Sequence, residues 1–358
     1  MKTTPDEINH DSNRTGRRLK YLLIPFILSA GALFTCAADQ SWQYLGQTPP
    51  GNTPVVFAPG VVSVANKNTH AVAISPDGKM IIFSRYPDGT SFIMTYTNNQ
   101  WSGPVQSFFY GKEVSFSPDG NKIFYYTSDD IYYVARQGSG WSSPVRLGPN
   151  VNTDSNIEYY PSIVRSQSMY FSRAPTNGDW STGRIMFSQY TNGAYQPAVD
   201  LGAPINTGGA LHAWVAPDES YMLFNSPRPG SHTGLDIWVS FRSQDGTWSN
   251  PKNVGATVNG GADAILCPKV SPDGKYLFFT RLTQPTGLVY WVANPFFARL
   301  TISRNDTNVN LSWSTNLPDF TLESVARLGD TWTTVSGVTG YSVTLPASSE
   351  SQFFRLIR

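Results

Sequence analysis

The chain has 358 residues, 14% of them charged, and a formal net charge of +1. That balance offers no basic field for nucleic acid or an anionic membrane surface. Aromatics at 13% and 30 glycines suit many short strands and turns, and the length allows one large domain and one small one.

At the N-terminus, Arg14, Arg17, Arg18 and Lys20 precede an apolar stretch from Tyr21 to Thr35, followed by Cys36-Ala37-Ala38. A basic region, a short apolar core and small residues predict a signal peptide over 1–38, which places the mature chain in the periplasm or outside the cell. The apolar stretch is shorter than the ~20 residues of a spanning helix, so no transmembrane span is expected in the mature chain. A retained anchor is the alternative. Thr35 is a poor residue before a lipidated cysteine, which disfavours lipidation at Cys36. Cleavage would leave Cys267 alone, so no internal disulfide is expected, and Cys267 reads as a buried inert thiol.

The next stretch, 39–297, is built on a recurring turn. Ser75-Pro76-Asp77-Gly78, Ser117-Pro118-Asp119-Gly120 and Ser271-Pro272-Asp273-Gly274 each precede an aromatic, β-branched run. Ala216-Pro217-Asp218-Glu219 and Val164-Arg165-Ser166-Gln167 are worn copies. Proline presets the first corner, aspartate bonds the following backbone, and glycine supplies positive φ, so each copy predicts a hairpin. Third strands follow at Ser91 to Tyr96, Asp130 to Val134, Arg184 to Ser188, Asp236 to Ser240 and Leu288 to Val292. Fourth strands follow Trp101, Trp141, Tyr195 and Trp248, aromatics that read as packing anchors between neighbouring units.

Self-similarity every forty to fifty residues or so, with several strands per unit, predicts a β-propeller. Five units supply first to third strands, but the last leaves no fourth strand before Asn294-Pro295. Pro54-Val55-Val56-Phe57 aligns with the missing piece. The prediction is an all-β, five-bladed β-propeller closed by an N-terminal strand, with six blades as the alternative. A smaller unit, 298–358, alternates apolar and polar residues over six short runs, from Leu300-Thr301-Ile302-Ser303 to Phe353-Phe354-Arg355-Leu356. It predicts a small C-terminal β-sandwich, with Trp313 and Trp332 as core residues.

The Ser-Pro-Asp-Gly turns, their aromatic strands and the Gly234-Leu235-Asp236-Ile237 entry to a third strand resemble the TolB-like, WD-like propeller repeat of bacterial envelope proteins. The tail resembles Ig-like or fibronectin-like modules of secreted bacterial proteins. The resemblance implies a protein-interaction or ligand-recognition platform, and the same repeat also occurs as a non-catalytic domain beside peptidases.

In a propeller, residues just before each innermost strand face the central channel. His70, Lys112 with Glu113, Glu158 with Tyr159, His212 with Trp214, and Asp263 hold those places. Two histidines and three carboxylates could bind a divalent cation. Two carboxylates could instead cleave a glycosidic bond. The preferred reading is that these groups solvate a channel mouth. The expected function is an exported, non-enzymatic, monomeric recognition protein for an envelope or secreted protein or a glycan. Its contacts are His70, Glu113, Glu158, Tyr159, His212, Trp214 and Asp263, with no catalytic residue, metal or cofactor. The alternative is a glycoside hydrolase or polysaccharide lyase using Glu113, Glu158 and Asp263. No Gly-rich phosphate loop, HExxH-type motif or Ser-His-Asp order occurs.

Overall fold

The computed structural model describes residues 43–86, 89–177, 179–243, 245–296, 300–305, 307–313, 321–347 and 352–357. The predicted signal peptide and Cys36 lie outside the described residues. By contacts the described residues divide into two compact units, a larger one up to Thr301 together with Ser312 and Trp313, and a smaller one of Ile302–Leu311 and the described residues from 321 on.

In the larger unit the described strands form antiparallel meanders. Sheet 1 comprises Asn68–Ile74, Met80–Tyr86, Thr90–Thr97 and Val105–Gln106. Sheet 2 comprises Lys112–Phe116, Lys122–Thr127, Asp130–Gln137 and Val145–Arg146. Sheet 3 comprises Asn156–Ile163, Met169–Pro175, Arg184–Ser188 and Val199–Asp200. Sheet 4 comprises Leu211–Val215, Tyr221–Ser226, Asp236–Phe241 and Lys252–Asn253. Sheet 5 comprises Ala264–Val270, Tyr276–Thr283 and Thr286–Ala293. Its fourth strand is Val55–Val56, with Val55 opposite Trp291 and Val56 opposite Tyr290.

The recurring turn works as its chemistry requires. Ser75 Oγ donates to Asp77 Oδ1 at 2.5 Å and accepts from the Met80 amide at 2.8 Å, while Asp77 Oδ1 also accepts from the Lys79 amide. The same bonds recur around Asp119 and Asp273. Gly78, Gly120 and Gly274 take φ of 74°, 72° and 78°. The worn copies keep that backbone without glycine, since Gln167 and Glu219 sit at φ 67° and 61°.

Between the sheets lie apolar layers that run in a cycle. Ile81, Phe83 and Met94 of sheet 1 pack with Phe278, Val289 and Trp291 of sheet 5. Further layers join sheets 1 and 2, 2 and 3, 3 and 4, and 4 and 5. Trp101, Trp141, Tyr195 and Trp248 each border the layer between their own sheet and the preceding one. The tails after the fourth strands are fastened by one device. Asn152 accepts from the Ile131 amide and donates to its carbonyl, and Asn206 and Asn259 do the same to Ile185 and Ile237. Ser63 treats Val289 the same way through its hydroxyl, both contacts at 3.1 Å. A parallel bridge joins Asn68 to Gly287, where a Cβ would lie 2.4 Å from the Asn68 carboxamide oxygen.

The smaller unit contains two three-stranded sheets. One orders Thr301–Arg304, Asn308–Ser312 and Ser342–Pro346; the other orders Thr333–Thr334, Thr321–Val325 and Phe353–Ile357. Trp313 is buried, and Trp332 lies half-buried under the Arg355 guanidinium at 4.2 Å.

Candidate functional site

Each innermost strand carries one extra residue. Register shifts fall between His70 and Val72, Lys112 and Ser115, Tyr159 and Ser162, Leu211 and Trp214, and Leu266 and Lys269. Inside each bulge one non-glycine residue has positive φ: Ala71 (47°), Glu113 (56°), Tyr160 (52°), His212 (49°) and Cys267 (55°). Bulges re-aim side chains and cluster at functional sites, and left-handed backbone at non-glycine residues carries strain that surrounding structure must hold. Part of that hold is visible. The amides of Glu113, His212 and Cys267 donate to Ser84 Oγ (3.2 Å), Ser172 Oγ (2.7 Å) and Asn225 Oδ1 (3.0 Å). Each acceptor follows the phenylalanine of the preceding sheet's second strand, at Phe83, Phe171 and Phe224.

The bulges bring together groups far apart in sequence. A carboxylate oxygen of Glu113, a ring nitrogen of His212 and Cys267 Sγ all lie within 4.8 Å of one another. His212 Nε2 is 3.7 Å from Glu113 Oε1. Tyr159 and Tyr160 present their rings edge-on to His212, centroids at 5.4 and 5.0 Å, and Tyr160 Oη donates to the Pro268 carbonyl. Lys269 Nζ lies over Tyr160 at 4.5 Å. Several polar atoms here are buried without a hydrogen-bond partner among the described residues: Glu113 Oε2, His212 Nδ1, His70 Nε2 and Lys269 Nζ.

Burial pushes the Glu113 carboxyl up, but the hydrogen bond and charge of His212, helped by Lys112 and His70, bring it below the usual range. Burial pushes His70 down to about 4 and Lys269 down to about 8. Burial first, then Glu113, holds the Cys267 thiol well above its ordinary value.

An arc of aromatics borders this cluster. His70 stacks on Tyr86 at 5.1 Å, and Lys112 Nζ sits over Tyr86 at 4.0 Å and over Tyr126 at 5.1 Å. Tyr126 meets Tyr159 at 5.9 Å, and Tyr159 meets Trp180 edge-on at 5.4 Å. Tyr86 and Trp180 are 39% and 45% exposed, and Tyr110, whose hydroxyl borders Gly89, is 63% exposed.

Of the residues expected at the channel, His70, Glu113, Tyr159 and His212 belong to this cluster. The other three do not. Glu158 is fully buried, accepting from Arg173 Nε at 2.7 Å and from the Thr153 amide and hydroxyl. Burial raises its carboxyl, and those partners offset the rise only in part. Trp214 packs on Tyr221 at 5.5 Å, against the apolar layer between sheets 4 and 5. Asp263 is exposed and accepts from the Gln284 amide. Sequence reasoning placed Cys267 in a strand without a histidine nearby, yet the fold sets His212 beside it. Tyr160 and Lys269 were missed as well. A constant spacing marks all five bulged positions, which stand four residues before Ser75, Ser117, Val164, Ala216 and Ser271.

No protein-family model and no curated protein matches the chain. Solved structures with a similar shape include a protein assigned as TolB from Agrobacterium tumefaciens, 16% identical, with TM-score 0.43, covering 82% of this chain and 91% of that one. TolB from Acinetobacter baumannii is 13% identical, with TM-score 0.40, covering 81% and 57%. Regucalcin from Agrobacterium tumefaciens, described as calcium-binding, is 10% identical, with TM-score 0.39, covering 76% and 88%. At such values these likenesses carry no inference about this chain's chemistry. No helix among the described residues is long and apolar enough to cross a membrane.

Proposed function

We propose that the chain is an exported recognition protein, a five-bladed propeller carrying a C-terminal sandwich, that binds a glycan across the mouth of its central channel. Five meanders joined by a cycle of apolar layers support the blade count, and the pairing of Val55 with Trp291 supports closure by the N-terminal strand. The observation that carries the binding reading is the exposed aromatic arc. Tyr86 and Trp180 are exposed at the two ends of a chain of ring contacts that runs past the buried polar groups of Glu113, His212 and His70. Aromatic faces with a polar tip suit the apolar faces and hydroxyls of a sugar. Lys112 adds a cation that would favour an acidic one.

The carboxylates favour binding over hydrolysis. Paired catalytic carboxylates must flank one bond. Glu158 is paired with Arg173 and Thr153 and Asp263 is exposed beside the Gln284 amide, so of the three carboxylates Glu113 alone belongs to the cluster.

A panel of immobilised neutral and acidic glycans tests the proposal. Binding by the wild-type chain is expected, weakened about fivefold or more by Trp180→Ala or Tyr86→Ala, since one stacked ring contributes ~1 kcal/mol. A folded chain that binds no glycan, or one whose binding ignores both substitutions, overturns it. Capture of a protein instead of a glycan would do the same.

A further inference from the structure

We infer that Glu113, His212 and Cys267 form a binding site for a divalent transition metal of the zinc class at the centre of the larger unit. This centre is independent of any ligand on the aromatic arc.

The donor set comes first. A thiol, an imidazole and a carboxylate, each offering one atom within 4.8 Å of the others, match the sulfur, nitrogen and oxygen ligands of zinc. Metal–ligand distances of about 2.0–2.3 Å bring tetrahedral donors to roughly 3.3–3.7 Å apart, so inward rotation of about 1 Å completes the set. Calcium and magnesium prefer all-oxygen shells, and the thiolate selects against them.

Position is the second argument. The three residues come from sheets 2, 4 and 5, and each occupies the single left-handed residue of its bulge. The bulge belongs to the fold, but what stands on it differs from sheet to sheet. The corresponding residue of sheet 1 is Ala71, too small to fill the space, and that of sheet 3 is Tyr160, tied to Pro268. Two of five bulges leave room or form a wall, and three supply ligands.

The third argument is the unfilled hydrogen-bonding capacity. Glu113 is 6% exposed and Cys267 1% exposed, yet Glu113 Oε2 and His212 Nδ1 have no partner among the described residues. Buried polar atoms without partners are costly, and a bound cation is one of the explanations they call for. Charge also balances. Cys267 gives its S–H proton to solvent as the sulfur–metal bond forms, and one thiolate plus one carboxylate neutralise a divalent ion. The ammonium groups of Lys269 and Lys112 are held over aromatic rings, the first over Tyr160 and the second over Tyr86. Three protein ligands leave a fourth coordination position to water.

The test uses the full chain with Cys36→Ser, which leaves Cys267 as the sole thiol. Cobalt(II) is titrated as a spectroscopic probe and zinc by competition against a chromophoric chelator. One equivalent of cobalt should give a thiolate-to-metal charge-transfer band, and Cys267→Ala should abolish it. His212→Gln and Glu113→Gln should each weaken zinc by about 100-fold or more, since even the loss of an outer-shell partner costs about 10–100-fold. Circular dichroism checks folding, and His212, the most exposed of the three, keeps the test open if the Cys267 variant does not fold. A folded chain that takes up neither ion stoichiometrically overturns the inference. So does zinc binding of unchanged affinity in His212→Gln, or a charge-transfer band that survives Cys267→Ala.

Discussion

Phe57→Ala is the sharpest probe of how the N-terminal segment is built into sheet 5. Phe57 is wholly buried although it lies far in sequence from its partners. Its ring stands edge-on to Phe278 (5.0 Å, 88°) and to Trp291 (5.3 Å, 68°), and its amide donates to the Val289 carbonyl at 2.8 Å. Truncating a buried phenylalanine to alanine costs ~3–5 kcal/mol through lost transfer free energy and the cavity left behind. The two edge-on pairs place this site in the upper part of that range. For a unit of this size each kcal/mol lowers Tm by about 2–4 °C, so a fall of roughly 10 °C or more is expected. Val55→Ala, one turn of the pleat away and 43% exposed, should cost no more than about 0.5 kcal/mol. Urea titration of both variants, read by tryptophan fluorescence and far-ultraviolet circular dichroism, measures the difference. A loss below about 1 kcal/mol for Phe57→Ala would show that the segment contributes nothing to the core.

Asn206→Ala should cost about 2–4 kcal/mol in the same titration, because it strips partners from both the amide and the carbonyl of buried Ile185; a loss under 0.5 kcal/mol would contradict the role of the tail asparagines. Acid stability has a definite sign. At Asp77, Asp119 and Asp273 burial pushes the carboxyls up, but serine and backbone hydrogen bonds outweigh it and leave each below the usual value. Their stabilisation is therefore complete above the unfolded value of about 3.9 and is lost as pH falls through the lower folded values. Replacing all three by asparagine should flatten the fall in stability below about pH 4, and an unchanged acid profile would refute the assignment.

The hairpins were legible because their turns are local chemistry. Ser-Pro-Asp-Gly dictates the corner from four consecutive residues, and even Gln167 and Glu219 keep its backbone. The place of Val55 and Val56 was legible from counting strands. The cluster was harder to read because strand side chains alternate with period two, and one inserted residue turns every following side chain to the other face. Trp214 follows the bulged His212 and packs against the layer between sheets 4 and 5, while Glu158, ahead of its bulge, is taken up by Arg173 and Thr153. Cys267 looked inert because its neighbour His212 is reached only across the fold. The four-residue spacing from each turn could have found all five bulged positions. The capping of their amides by Ser84, Ser172 and Asn225 could not be read without coordinates, because it pairs one sheet's second strand with the next sheet's first.

Hydrogen exchange at the Phe57 amide tests the seating of the N-terminal segment in sheet 5 most directly. The account predicts that this amide, bonded to the Val289 carbonyl, exchanges as slowly as the amides of Tyr276–Thr283 and is released only with them. Rapid exchange at Phe57 while Tyr276–Thr283 stays protected would contradict it.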